Sequence, residues 1–212
     1  MRNIVFTLFF SFSLAGNAVA AQGANILALG DSLTAGYGLP QEEGLVPQLQ
    51  AWLTAQGADV NLINAGVSGD TTAGGAARLE WSLAVGAQAL IVNLGGNDML
   101  RGLDPSVARS NLTQIMEMAR AKGLPVLLVG MLAPGNYGPA YKAQFEAIYP
   151  DLAEGYDALL LPVYFAPIAT AEGGIDPAFM QPDGIHPNAE GVARIVAAMG
   201  PKVLELLARI KG

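Results

Sequence analysis

Ser32 stands one residue beyond the Gly30-Asp31 pair that closes a short apolar run, and it is the first candidate nucleophile of the chain. A serine hydroxyl attacks a carbonyl only when a base takes its proton, and that base needs a third group to hold its tautomer. The chain has one histidine, His186, in the stretch Pro182-Asp183-Gly184-Ile185-His186-Pro187. Asp183 lies three residues upstream across a turn, within reach of an imidazole Nδ1–H, so base and orienting group come from one loop. Acyl transfer also needs donors for a developing oxyanion. Gly69, in Ser68-Gly69-Asp70, can offer an unobstructed backbone N–H, and Asn97, in Gly95-Gly96-Asn97-Asp98, a side-chain amide. Each residue has a plainer alternative. Ser32 could cap a helix, Asp183 could form an Asx-turn over Gly184, Gly69 could serve a positive φ, and Asn97 could cap a turn.

Other chemistries are excluded by composition. Without cysteine there is no disulfide, thiolate metal site, iron–sulfur cluster or Cys nucleophile, and a single histidine rules out two-histidine metal motifs. Eleven Lys and Arg against 18 Asp and Glu give a net charge of −7, which disfavours nucleic acid as a partner. The G-x-S-x-G elbow fails because Thr34 holds its last position, and neither a P-loop nor a dinucleotide-binding G-x-G-x-x-G is present.

The elements that must carry these residues alternate strand and helix. Asn25–Leu29, Val60–Ile63, Ala89–Leu94, Pro125–Val129 and Ala158–Leu161 read as buried strands. Helices are expected over Leu45–Gln56, Thr72–Leu83, Asp104–Lys122, Ala140–Glu154 and Asn188–Lys211, with Gly200-Pro201 a candidate break in the last. Trp52, Trp81, and the helical face of Tyr141, Phe145, Ile148 and Tyr149 are expected in the core. Such alternation predicts one three-layer α/β/α domain with a parallel sheet, and ligands of such sheets sit beyond the carboxyl ends of the strands. The polar, glycine-rich turns holding Ser32, Gly69 and Asn97 all follow strands and converge on that rim.

Residues 1–20 read as an address. Arg2, an apolar stretch from Ile4 to Leu14, and Ala18 and Ala20 at A-x-A spacing make the three parts of a secretory signal peptide, with cleavage expected after Ala20. The apolar run is far shorter than the ~20 residues of a membrane span. A bacterial periplasmic or secreted protein is expected, its folded domain spanning residues 21–212 and carrying no stable membrane anchor once the leader is removed.

In order and spacing, Gly30-Asp31-Ser32-Leu33, Gly69, Gly95-x-Asn97-Asp98 and Asp183-x-x-His186 resemble the four blocks of the SGNH (GDSL) hydrolase family, nearest its small periplasmic thioesterase I/lysophospholipase L1/arylesterase group. The resemblance implies a flavodoxin-like, five-stranded parallel sheet of order 2-1-3-4-5. It also implies a Ser32–His186–Asp183 triad, and an oxyanion hole made by the Ser32 and Gly69 N–H groups and the Asn97 side chain. No cofactor is implied, and Asp31 is expected to position the serine turn.

The expected partner is a small acyl ester or thioester, with a monomer favoured. Met99 and Leu100, together with Leu132, Pro134, Asn136 and Tyr137 in the loop from Met131 to Pro139, look like the family's substrate-contacting loops. Phe179 and Met180 are candidates to complete the groove wall, while Met131 and Leu132 could equally be the buried end of a strand. Arg101 is expected in an exposed salt bridge, with a phosphate contact as its alternative. A carbohydrate O-acetyl esterase and a non-catalytic exported binding protein are the competing functions.

Overall fold

Val, Ile and Leu fill the strands so completely that both faces of the sheet must be covered, and the chain supplies helices to both. The computed structural model describes residues 23–211; the expected signal peptide lies outside the described residues. The strands are β1 (Ala24–Gly30), β2 (Val60–Gly66), β3 (Ala89–Asn93), β4 (Val126–Val129) and β5 (Leu159–Leu161), paired in parallel in the order β2-β1-β3-β4-β5. Every residue of β3 and β4 is buried, as a doubly covered parallel sheet requires.

The helices are α1 (Ser32–Ala35), α2 (Leu45–Ala55), α3 (Thr72–Ser82), α4 (Gly96–Leu100), α5 (Pro105–Ala121), α6 (Pro139–Glu146), α7 (Ile148–Gly155) and α8 (Ala189–Ala208). α2 packs against α8, and α3 against α5, which also meets α6 and α7. The expected three-layer architecture and strand order are those observed.

Three details depart from expectation. The helix expected over 140–154 is two helices meeting at Ala147. Pro150 has no N–H to donate to the Glu146 carbonyl, so the chain restarts there with the proline in a first turn, where it is tolerated. Conversely, α8 runs unbroken through Pro201. Gly200 does not stop the helix: a Cβ there would lie 2.5 Å from the Trp52 ring, so the glycine lets α2 approach α8. Trp81 is 81% exposed instead of core. α3 buries Thr72, Gly75, Leu79 and Ser82 on one stripe, and position 81 faces away from it. At the rim, Ser32 begins its helix without capping it, so the plainer alternative open to that residue is not the one observed.

At the carboxyl end of the sheet, Gly30 is in register with Gly66 on one side and Asn93 on the other. A Cβ on Gly66 would lie 2.2 Å from the Ala35 backbone nitrogen. The glycine is what lets α1 lie across the sheet edge, and Ser32 is the first residue of α1.

Candidate active site

Asp31 caps α1, its Oδ1 accepting the Leu33 N–H at 3.0 Å. The capping role open to Ser32 is thereby filled by its neighbour, and the Ser32 hydroxyl is left for another partner. That partner is His186, whose Nε2 lies 2.8 Å from Ser32 Oγ. On the other side of the ring, Nδ1 lies 2.6 Å from Asp183 Oδ2. With Nδ1–H donated to the carboxylate, Nε2 accepts the serine proton. The structure brings the three residues into one hydrogen-bonded chain across 154 positions of sequence.

The loop that carries His186 and Asp183 is held by several hydrogen bonds. Asp183 Oδ1 accepts the backbone N–H groups of Ile185 (2.9 Å) and His186 (3.0 Å). The His186 ring and these N–H groups hold the Asp183 carboxyl down at about 2, well below its ordinary range. The Asx-turn and the bond to imidazole thus coexist, one on each oxygen. Gln181, which sequence reading passed over, ties the loop to the serine side: its N–H donates to the His186 carbonyl (2.8 Å) and its Nε2 to the carbonyls of Tyr37 (2.9 Å) and Pro187 (3.0 Å). The Tyr37 ring lies 4.7 Å from the imidazole, a second contact with no signal in the sequence.

The two candidate donors border the same cleft. Gly69, at φ +83°, is the third residue of a turn closed by Asp70 N–H donating to Val67 O at 3.0 Å. A positive φ at that position is what a type II turn asks of glycine. The N–H groups of Ser32 and Gly69 donate to no acceptor among the described residues. The Asn97 amide gives one N–H to Asp31 Oδ2 over a long 3.4 Å, leaving the other uncommitted. Asp31 is itself buried, and burial pushes its carboxyl up to about 6 despite the opposing hydrogen bonds from Leu33 and Asn97. Asp98, buried beside Asn97, accepts from Thr72 N–H (2.8 Å) and Thr72 Oγ (2.6 Å), joining α4 to the start of α3.

A cleft of about 970 Å3 opens from these groups. Met99, Leu100, Leu132 and Pro134 line it. Met131 does so while nearly fully buried and Leu132 while half exposed, so the strand end and the cleft wall are one stretch. Asn136 and Tyr137 do not line it: Tyr137 sits on Gly102 and donates its hydroxyl to the Leu100 carbonyl at 3.3 Å. Phe179 and Met180 do not line it either. The Arg194 guanidinium covers the Phe179 ring at 3.9 Å, Met180 packs on the core, and their backbones pair with Pro187 and Asn188 to brace the His186 loop. The missing wall comes instead from Phe165, Ala169 and Ile175, in an irregular segment after β5 whose periodicity carries no signal. Arg101 makes no salt bridge among the described residues; its Nη2 donates to the Gly69 carbonyl at 2.8 Å.

Residues 28–194, which hold every group of this constellation, match the model of the GDSL-like Lipase/Acylhydrolase family. The chain belongs to that family. It is 38% identical over 208 residues to the esterase TesA of Pseudomonas aeruginosa, covering 98% of this chain and all of that protein. To the thioesterase 1/protease 1/lysophospholipase L1 of Escherichia coli K12 it is 36% identical, over 89% of this chain and 87% of that one. Among solved structures, AlinE4, an SGNH-hydrolase family esterase, superposes with a TM-score of 0.72 at 44% identity, covering 86% of this chain and 96% of its own. Membership places the chain among the serine ester hydrolases, acting on small-molecule esters.

Proposed function

We propose that the enzyme hydrolyses carboxylic esters and thioesters of apolar acyl chains through an acyl-enzyme on Ser32. The observation that carries this reading is the Ser32–His186–Asp183 hydrogen-bond chain opening onto an apolar cleft. His186 Nε2 takes the Ser32 proton as Oγ attacks the carbonyl carbon, and Asp183 stabilises the imidazolium. Charge gathers on the carbonyl oxygen, where the Ser32 N–H, the Gly69 N–H and the Asn97 amide receive it. His186 returns the proton to the departing alcohol or thiol, then activates a water that releases the acid from Ser32. The cleft takes the acyl chain against Leu100, Leu132, Pro134 and Ile175. Lys142 also borders the cleft, but its ammonium is engaged by the Ala133 carbonyl and Glu146, which leaves the wall suited to an uncharged chain. The basic, apolar and small-residue pattern of residues 1–20 supports an exported enzyme.

A p-nitrophenyl ester series from acetate to decanoate, run on wild type and Ser32→Ala, tests the reading. Burial of each CH2 is worth about 0.8 kcal/mol, so kcat/KM should climb by roughly fourfold per methylene until the cleft is filled. Ser32→Ala should abolish turnover throughout. An acetate-only profile would point to an O-acetyl esterase, and turnover that survives Ser32→Ala would end the serine mechanism.

A further inference from the structure

We infer that Arg101 is a positioning residue that sets the distance between the two oxyanion donors Gly69 and Asn97, an inference that rests on the catalytic reading above. Asn97 and Arg101 are one helical turn apart: Arg101 follows α4 directly and its N–H donates to the Asn97 carbonyl at 3.2 Å. From there the guanidinium reaches across to the Gly69 carbonyl at 2.8 Å. One residue is therefore bonded through its backbone to the element bearing one donor and through its side chain to the residue bearing the other.

Gly69 needs such a partner. Its lack of a Cβ leaves φ and ψ free, and unless the following peptide is held, a change at either can be absorbed by the turn and carry the preceding peptide, with the Gly69 N–H, away from the serine. The peptide following Gly69 is held at two points. Its N–H, that of Asp70, bonds Val67 O, and its C=O bonds Arg101. The far flank is anchored independently: Arg78 Nε pairs with Asp70 Oδ2 at 2.7 Å and Arg78 Nη2 reaches Gly30 O at 2.9 Å, directly upstream of Asp31-Ser32. α4 also grips the chain beyond the turn, through Asp98 and Thr72. Arg101 is the member of this frame that touches Gly69 itself. A guanidinium suits the role, since its planar fork loses little freedom in fixing a carbonyl.

The test compares Arg101→Ala and Arg101→Lys with wild type and Ser32→Ala on p-nitrophenyl butyrate and octanoate, and measures the inhibition constant of an alkyl trifluoromethyl ketone, whose adduct mimics the oxyanion. Donor misplacement of the order of an ångström costs about 10- to 100-fold, so Arg101→Ala should lose that much kcat with KM changed less than about twofold. The loss should be equal for both chain lengths, and inhibitor affinity should fall in parallel. Arg101→Lys, which keeps a charged donor on a shorter reach, and ethylguanidinium added to Arg101→Ala should each restore part of it. An Arg101→Ala kcat within twofold of wild type, a loss confined to KM or to octanoate, or an unchanged inhibitor constant would overturn the inference. Ser32→Ala separates the two levels: an inert Ser32→Ala beside a near-normal Arg101→Ala removes the strut alone, whereas an active Ser32→Ala removes the catalytic reading beneath it.

Discussion

Asp183 divides its two oxygens between the backbone and the ring of the same histidine, and the division sets what an amide in its place would change. Asparagine would still accept the Ile185 and His186 N–H groups through one oxygen, so the loop would keep its shape. Toward Nδ1, however, it would present its NH2, a donor, favouring the tautomer that carries its proton on Nε2 and faces Ser32 with a donor. Asp183→Asn should therefore lose about 10³–10⁴-fold in kcat with little change in KM, read from steady-state kinetics of a protein that melts where wild type does. Because the Asp183 carboxyl is held at about 2, it stays ionised far into acid. The acid limb of the rate profile then belongs to groups other than Asp183.

At the scale of elements, the serine is placed by the crossing of α1 over the ends of β1 and β2, and glycine permits that crossing. The atoms nearest a Cβ on Gly66 are backbone: Ala35 N at 2.2 Å, Ala35 Cα and the Thr34 carbonyl carbon at 2.7 Å. No rotamer change can relieve such a clash. Gly66→Ala should therefore cost about 1–3 kcal/mol or more in urea unfolding. It should also lower kcat, because the helix that must move begins with Ser32. A stability loss with fully retained kcat would show that the strain is absorbed in β2. The glycine at 69 answers to a different constraint, the sign of its φ, and to the arginine that holds its carbonyl.

At the scale of the whole molecule, the site imposes a cost that depends on pH. Asp31 is buried with its carboxyl raised from 3.8 to about 6, so between about pH 4 and pH 6 the folded chain binds more protons than the unfolded one. Stability from this group is accordingly lost as pH rises through that window and stays lost above it. Asp31→Asn keeps an acceptor for Leu33 N–H and carries no charge, so it should be more stable than wild type at pH 7.5, by up to the order of 3 kcal/mol. The advantage should vanish near pH 4. Urea midpoints at the two pH values check it, and an equal gap at both would remove Asp31 ionisation as the cause. A buried carboxyl retained beside Ser32 at such a cost fits its place between Leu33 N–H and the Asn97 amide, where it holds both sides of the serine turn.

The strands, the main helices and the serine, glycine, asparagine and aspartate–histidine positions could all be read directly from the chain, because each leaves a local mark. Burial on both faces writes continuous apolar runs, helix faces write a 3.6-residue period, and sharp turns write glycine beside polar residues. Features that depend on what a neighbouring element brings left no such mark. Asp31 and not Ser32 caps α1; Pro150 divides a helix while Pro201 does not; Trp81 faces water and Phe179 supports the histidine loop in place of lining the cleft. Gln181, Tyr37, Ile175 and Arg101 reach their partners across tens of residues through contacts that have no period. Residue type and spacing specify which groups can react. Only the packing of one element on another sets the ångström-scale distances at which they do, since those distances are sums over segments that meet in space and not along the chain.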